Sequence, residues 1–211
     1  MEYLGVKIEY LGHACFRIEG KGMVIYVDPF KIKSELKDGD VVICTHDHFD
    51  HCSVEDVLKV AKDDAVIVAS VNCKEKLESL KQDKVLLKPG EKKEIKGLLI
   101  EAVPAYNIDK QYHPKEYNGI GVIVNINKVR IYHAGDTDFI PEMKALDNID
   151  IALLPVSGVY VMDAEQAIEA AKAIKPKIAI PMHYGVIVGS RNDAERFMEN
   201  LKNVCEVKIL K

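Results

Sequence analysis

The sequence predicts a mixed α/β (α+β) fold, a four-layered αββα sandwich in which two β-sheets pack together and helices cover their outer faces. Short apolar runs typical of strands dominate residues 6–27 and 85–132. Each of these regions is followed by alternating strand-like and helix-like segments, at residues 41–75 and 151–210. This repetition indicates two similar halves within a single domain that spans residues 1–211.

The first half contains five predicted strands and two predicted helices. Ser53 and Asp56 have the spacing of a capping box, which predicts a helix that runs to about residue 61. Asn72 and Glu75 are expected to cap the second helix. The strands are predicted at residues 6–11, 15–19, 23–27, 41–44 and 65–70.

The second half repeats this plan. Its β-rich part covers residues 85–103 and 121–132, and Asn127-Lys128 is predicted to form a hairpin turn. Strands and helices then alternate, with strands predicted at residues 151–154, 178–181 and 206–210 and helices at residues 163–174 and 190–201.

Composition excludes several classes of protein. A formal net charge of -4 and a pI near 6.0 argue against a large nucleic-acid-binding platform, which usually presents a basic face. No apolar stretch approaches the ~18 residues that a membrane helix needs, and the start of the chain lacks the pattern of a signal peptide. We therefore expect a cytoplasmic protein without a membrane partner. Five cysteines without a CxxC pair indicate reduced, mostly buried thiols.

The most informative segment is the histidine motif, residues 46–51, which follows the strand predicted at 41–44. It reads His-x-His-x-Asp-His and contains His46, His48, Asp50 and His51. Histidine and aspartate are poor choices for a helix interior or a buried strand. Imidazole nitrogens and carboxylate oxygens are, however, the ligands that zinc, manganese, iron and nickel accept. The motif therefore predicts a metal site.

Two later strands end in residues of the same kind. Asp136 lies in a His-Ala-Gly-Asp-Thr segment after the strand that ends near residue 132, and His183 follows the strand at 178–181. Three separate strand ends thus present metal-ligand residue types. Ser190, in Gly189-Ser190-Arg191, opens a helix that could hold a substrate phosphate, although a plain capping box with Asp193 is the favoured interpretation.

These motifs together resemble the metallo-β-lactamase superfamily, and in particular a branch of small, single-domain, metal-dependent hydrolases related to the ascorbate-6-phosphate lactonases. The resemblance extends from about residue 6 to residue 210. The matching motifs are Gly12-His13-Ala14-Cys15, Asp28-Pro29-Phe30, the histidine motif, Pro104-Ala105-Tyr106, Tyr132-His133-Ala134-Gly135-Asp136-Thr137 and Pro181-Met182-His183-Tyr184-Gly185.

The resemblance implies a role for each matching residue. It implies two divalent metal ions, which are zinc, manganese or nickel, with iron as an alternative. His46 and His48 would bind the first ion, Asp50, His51 and His183 would bind the second, and Asp136 would bridge both. Asp50 would also orient or deprotonate the attacking water, and His13 would contact the substrate or act as a general acid.

One position departs from the pattern of the superfamily. Where this branch often has histidine after Pro-Ala-Phe/Tyr, the chain has Asn107, which is a poor zinc ligand. Either the first metal site is weaker, or His113 replaces the missing ligand. Tyr184 is expected to contribute partly to packing and partly to substrate contact.

The resemblance implies a hydrolase in which a metal-bound hydroxide cleaves a small phosphodiester or a lactone. The alternative is an iron-dependent oxidoreductase or dioxygenase on the same fold. A non-catalytic metal-binding protein is a third hypothesis, but it would be expected to lack Asp50 or Asp136. The expected partner is a small-molecule substrate, and the sequence does not decide between a monomer and a homo-oligomer.

Overall fold

The computed structural model describes residues 1–211, which form fourteen strands and four α-helices. The first seven strands are β1 Glu2–Tyr3, β2 Val6–Gly12, β3 Cys15–Gly20, β4 Met23–Val27, β5 Gly39–Cys44, β6 Ala61–Ser70 and β7 Asp83–Leu87. The other seven are β8 Lys92–Ile95, β9 Leu98–Pro104, β10 Ile120–Ile126, β11 Val129–His133, β12 Ile151–Pro155, β13 Ile178–Met182 and β14 Glu206–Val207. The helices are α1 Val54–Val60, α2 Lys74–Leu77, α3 Ala164–Ile174 and α4 Arg191–Leu201.

The two halves build two seven-stranded sheets on the same plan. The first sheet has the order β1 to β7, and the second has the order β14 to β8. Strands β1 to β4 are antiparallel, whereas β4 to β7 run parallel. In the second sheet β8 to β11 are antiparallel and β11 to β14 parallel. The predicted repetition of a meander followed by βα units is therefore confirmed.

Strand β5 shows how the layers are arranged. Val41 and Ile43 belong to the large core of 46 buried residues that both sheets share, whereas Val42 and Cys44 belong to a smaller core of 15 residues beneath α1 and α2. Because successive strand residues point to opposite faces, this sheet is covered on both sides. Helices α3 and α4 cover the second sheet. The predicted four-layered αββα sandwich is confirmed.

Most helix starts follow the predicted caps. The Ser53 side chain accepts a hydrogen bond from Asp56 N at the start of α1, and α4 begins with a capping box at Ser190. The second helix differs, because Ser70 rather than Asn72 caps a 3₁₀ turn that leads into a four-residue α2. The Asn72 amide instead donates to Tyr117 O, at 3.0 Å.

Two further observations bear on the expectations from composition. All five cysteines are free, and four of them are buried. None of the helices has the length and apolar character that crossing a membrane requires. The last strand is shorter than predicted, because only Glu206 and Val207 pair with β13.

Candidate metal centre

The predicted ligand residues meet in one place at the ends of several strands. The turn after β5 carries the histidine motif, and the loops after β11 and β13 carry Asp136 and His183. The β2–β3 hairpin carries His13, and the long loop between β9 and β10 carries His113. The parallel strands of both sheets thus direct their carboxyl ends toward a shared site, which is where ligands bind in open α/β sheets.

The histidine motif folds into a tight turn. The carbonyl of His48 accepts hydrogen bonds from His51 N at 3.1 Å and Cys52 N at 2.8 Å. The turn is anchored at Thr45, whose backbone N and Oγ1 donate to the two carboxylate oxygens of Asp28, at 2.8 and 2.7 Å. This anchoring directs the three imidazoles of one short segment into the site.

His46, His48 and His113 form one group, the histidine subsite. Their candidate ligand atoms all lie within 4.8 Å of one another. His113 Nε2 is 3.0 Å from His48 Nδ1, so the loop histidine meets the motif histidine directly. His46 and His113 are buried, and His48 is half-buried.

His13, Asp50, His51 and His183 form the second group, the carboxylate subsite, whose ligand atoms also lie within 4.8 Å of one another. Asp50 Oδ2 is 2.8 Å from His13 Nε2 and 3.7 Å from His51 Nε2. His13 is 1% exposed and lies behind Asp50, so it does not line the open cavity.

Asp136 lies between the two subsites and contacts both. Its Oδ1 is 3.2 Å from His51 Nε2. Its Oδ2 is 3.3 Å from His183 Nε2, 3.6 Å from His113 Nε2 and 3.9 Å from His46 Nε2. One buried carboxylate therefore faces imidazoles from four different loop positions.

The far nitrogen of three histidines has a hydrogen-bond partner. His51 Nδ1 is 2.7 Å from Asp28 Oδ2, His46 Nδ1 is 3.1 Å from Thr45 Oγ1, and His183 Nδ1 is 3.1 Å from Ser157 Oγ. Such contacts fix the ring orientation and leave Nε2 for a ligand. The sequence placed Asp28 only in a matching motif and did not point to Thr45 or Ser157, since a hydroxyl at a strand end carries no distinctive signal.

The donor set fits divalent metal ions. His46 Nε2, His51 Nε2, His183 Nε2 and Asp136 Oδ1 are all buried and have no hydrogen-bond partner. Buried polar atoms are rarely left unpaired, because desolvation without a replacement bond costs free energy. Four such atoms facing one another are explained by cations, which imidazole and carboxylate ligands coordinate.

The pKa of His51 is shifted in the opposite direction to the pKa values of the histidine subsite. Burial lowers the pKa of His113 to about 4 and holds the pKa of His46 well below its ordinary value. Burial also opposes protonation of His51, but the charges of Asp136 and Asp28 outweigh it and raise the pKa of His51 well above the ordinary value. The histidine subsite is therefore neutral at pH 7, whereas His51 retains a proton that a metal ion must displace.

Asn107 and His113 take different places in the structure. Asn107 belongs to neither group of potential ligands, and its Nδ2 donates to Tyr112 O at 2.9 Å and Tyr160 O at 2.7 Å. Its backbone N donates to His113 O at 2.8 Å. Asn107 thus fastens the loop, and His113 is the residue that this loop brings to the ligand group.

Two remaining candidates lie outside the cavity. The Tyr184 ring stacks on Tyr10 at a centroid distance of 6.1 Å, belongs to the large core and does not line the cavity. His133 is buried, and its Nε2 is 2.8 Å from Ala14 O.

A cavity of about 290 Å³ opens onto the subsites. This volume lies near the lower end of the usual range for small-molecule sites, about 300–1,000 Å³. Its lining residues are His48, Phe49, Asp50, Tyr112, His113, Asp136, Tyr160, His183 and Ile187. Solvent and a small substrate can therefore reach ligands of both subsites.

Comparison with known proteins identifies relatives along nearly the whole chain. Residues 7–183 match the model of the β-lactamase superfamily domain. The UPF0173 metal-dependent hydrolase of Thermoplasma acidophilum is 40% identical over 209 residues, covering 91% of this chain and 89% of the relative. That of Pyrococcus horikoshii is 33% identical over 220 residues, covering 98% and 96%.

Solved structures give the same result. A protein described as a metal-dependent hydrolase, from Parabacteroides distasonis, has a TM-score of 0.87 at 34% identity and covers 98% of this chain and 94% of its own. The diiron β-hydroxylase CmlA from Streptomyces venezuelae, at 16% identity and a TM-score of 0.76, shares the fold alone. The superfamily that the motifs predicted is confirmed, and the chain belongs to the UPF0173 family of metal-dependent hydrolases within the metallo-β-lactamase superfamily.

Proposed function

We propose that this protein is a hydrolase that uses two divalent metal ions to cleave a small lactone or phosphodiester. The observation that carries the proposal is the position of Asp136. Its Oδ1 lies 3.2 Å from His51 Nε2 in one subsite, and its Oδ2 lies 3.9 Å from His46 Nε2 in the other. A carboxylate placed in this way can hold one cation on each side.

The ligands divide between the two subsites. His46, His48 and His113 would hold the first ion, Asp50, His51 and His183 would hold the second, and Asp136 would contribute to both. Five imidazoles favour zinc, nickel or iron(II), and the two carboxylates also admit manganese. When bound, two such ions lower the pKa of a water and stabilise the negative charge that develops on the substrate.

Asp50 accepts a proton from the attacking water, and His13 supports Asp50 in this role. Asp50 faces the cavity, and its Oδ2 is 2.8 Å from His13 Nε2. Burial lowers the pKa of His13, so its ring is neutral near pH 7 and donates its Nε2–H to the ionised Asp50 carboxylate. Because His13 is buried behind Asp50, it acts as a positioning residue for this carboxylate rather than by touching the substrate.

Both substrate classes suit this arrangement. Hydrolysis of a lactone or of a phosphodiester places negative charge on an oxygen that the cationic centre stabilises. The sequence resemblance to the ascorbate-6-phosphate lactonases favours a lactone, and a two-metal centre suits in-line attack on a phosphodiester. The cavity of about 290 Å³ supports a small molecule as the substrate.

The test is to strip the protein of metal and reload it with zinc, manganese, nickel or iron. Simple lactones, a generic phosphodiester and cyclic nucleotides form the substrate panel. We expect hydrolysis to appear with up to two ions per chain and to be lost in Asp136→Asn. Asp147→Asn, which makes the same chemical change at an exposed surface position, should retain activity.

Two outcomes would contradict the proposal. If protein with two ions bound hydrolysed no substrate of the panel, lactones and phosphodiesters would be excluded as its substrates. A single bound iron with oxygen consumption and a visible absorption band would instead favour the oxidoreductase on the same fold.

A further inference from the structure

The mouth of the cavity is apolar, in contrast to its floor. Four of the nine lining residues are Phe49, Tyr112, Tyr160 and Ile187, which we call the apolar rim. Phe49 is 64% exposed, Tyr112 47% and Ile187 41%, whereas Asp136 and His183 beneath them are at most 4% exposed. The rim therefore forms the surface that a substrate meets before it reaches the metal ligands.

Exposed apolar side chains are concentrated around this mouth. Of the twelve large apolar side chains that are exposed in the whole chain, six lie on the loops that carry the rim. They are Phe49, Ile108, Tyr112, Val159, Val186 and Ile187. Of these six, Phe49, Tyr112 and Ile187 line the cavity itself, and exposed apolar side chains grouped at a cavity mouth often mark a binding site. The continuity of this group with the metal centre indicates that it binds the substrate.

Cationic side chains are missing from the cavity. No lysine or arginine lines it, while Asp50 and Asp136 do. Two lysines of the long β9–β10 loop are already paired, since Lys110 contacts Asp138 and Lys115 is 2.8 Å from Glu142. A phosphate or carboxylate group away from the reacting centre would therefore find no lysine or arginine side chain within the cavity.

The start of α4 does not supply an anion site either. Ser190 N donates to Asp193 Oδ2 at 2.7 Å, and Arg191 Nε pairs with Glu195 at 2.8 Å. Side chains of the helix therefore already pair with the Ser190 N–H and with the Arg191 guanidinium. This supports the capping interpretation of the segment.

We infer that the substrate is a neutral lactone or carboxylic ester that carries an aliphatic or aromatic group, which the apolar rim binds. The inference rests on the proposed hydrolase function and selects among its substrate classes. In the reaction one water adds to the carbonyl carbon, the bond from that carbon to the ring or ester oxygen breaks, and the leaving oxygen takes a proton. A lactone is thereby converted to one hydroxy acid.

The experiment compares γ-lactones of increasing alkyl length, namely γ-butyrolactone, γ-hexalactone and γ-octalactone, with the zinc- or manganese-loaded protein. Each added methylene that the rim covers should raise kcat/KM by up to about fourfold, since one buried methylene contributes ~0.8 kcal/mol. The 4-nitrophenyl ester of thymidine 5′-monophosphate, an anionic phosphodiester, should be a much poorer substrate.

Rim variants supply the second measurement. Phe49→Ala and Ile187→Ala should raise KM for γ-octalactone about tenfold and raise KM for γ-butyrolactone, which has no alkyl group for the rim to cover, much less. A merely structural effect would alter both substrates alike. Leu99→Ala provides the matched control, because Leu99 is 38% exposed on β9 and lines a different depression. Both rim residues are exposed, so thermal melts should match those of the wild type.

The outcomes separate the two proposals. Equal kcat/KM across the lactone series, or a preference for the anionic phosphodiester, would overturn the inference and leave the hydrolase intact. Absence of hydrolysis of both classes by protein with two ions bound would overturn the proposed function and the inference with it.

Discussion

The two subsites of the metal centre share Asp136 but differ in charge. The histidine subsite contributes only imidazoles, and burial lowers the pKa of His46, His48 and His113. The carboxylate subsite adds Asp50 and has a second carboxylate behind His51, where Asp28 Oδ2 is 2.7 Å from Nδ1. A cation therefore meets more negative charge in the carboxylate subsite, and we expect that subsite to bind the more tightly.

The subsites also differ in how the chain supports them. His183 follows directly on the end of β13, and its backbone N donates to His13 O at 2.6 Å, whereas Asp50 and His51 share the motif turn with His46 and His48. The histidine subsite depends on His113, which belongs to the long connection between β9 and β10. We therefore expect the carboxylate subsite to have both the higher metal affinity and the more rigid support.

The largest effect is expected from removing one ligand on each side. Asp50→Ala should reduce the affinity of the carboxylate subsite by at least about a hundredfold, because loss of an outer hydrogen-bond partner alone costs 10–100-fold. His113→Ala should cost less, since it removes a neutral ligand. Titration of metal-free protein with zinc against a chelator measures both affinities. A larger loss in His113→Ala would reverse the proposed order of the subsites.

Asp28 tests whether the charge behind His51 matters. Asp28→Asn keeps the size of the side chain but replaces one acceptor oxygen with an NH2 donor, and asparagine tolerates the left-handed backbone of this position, where φ is 47°. We expect metal affinity of the carboxylate subsite to fall about 10–100-fold. Ser157→Ala, which removes the neutral partner of His183, should have a smaller effect. Equal effects would show that orientation rather than charge is what Asp28 provides.

The pKa values predict that pH affects one subsite only. His51 has a pKa raised well above its ordinary value, so below that pKa a metal ion must displace a proton and affinity rises with pH by up to about tenfold per unit. The pKa of His113 is about 4, so the histidine subsite should show almost no dependence between pH 6 and pH 8. Calorimetry in buffers of different ionisation enthalpy measures the released proton, and this release should be smaller in Asp28→Asn, where Asp136 still raises the pKa of His51.

Much of the fold was predictable because local signals agree with it. Ser53, Asp163 and Ser190 begin helices as their spacing predicts. Asn127 and Lys128 both have positive φ, at 51° and 64°, and join β10 to β11 in a tight hairpin. Each of these signals is contained within a few residues, so a single sequence suffices to read it.

The support of the site was not predictable, because it depends on contacts between distant segments. Asp28 and His51 are separated by 23 positions, and His183 pairs with Ser157 across 26. His13, His113 and His183 also have positive φ, between 56° and 60°, although none is glycine. Such conformations are costly and persist only where surrounding structure holds them, as at functional sites.

Asn107 offers the smallest expected effect and the sharpest test of the loop. In Asn107→Ala the carbonyls of Tyr112 and Tyr160 lose their shared amide donor, and the metal-free protein should lose about 1–3 kcal/mol in the free energy of unfolding, measured in urea. Because His113 would then reach its position only part of the time, affinity of the histidine subsite should fall by about tenfold or less. The carboxylate subsite should be unaffected. Asn200→Ala, at an exposed position on α4, serves as the control, and an equal loss at both subsites would show that the loop supports the whole centre rather than one side of it.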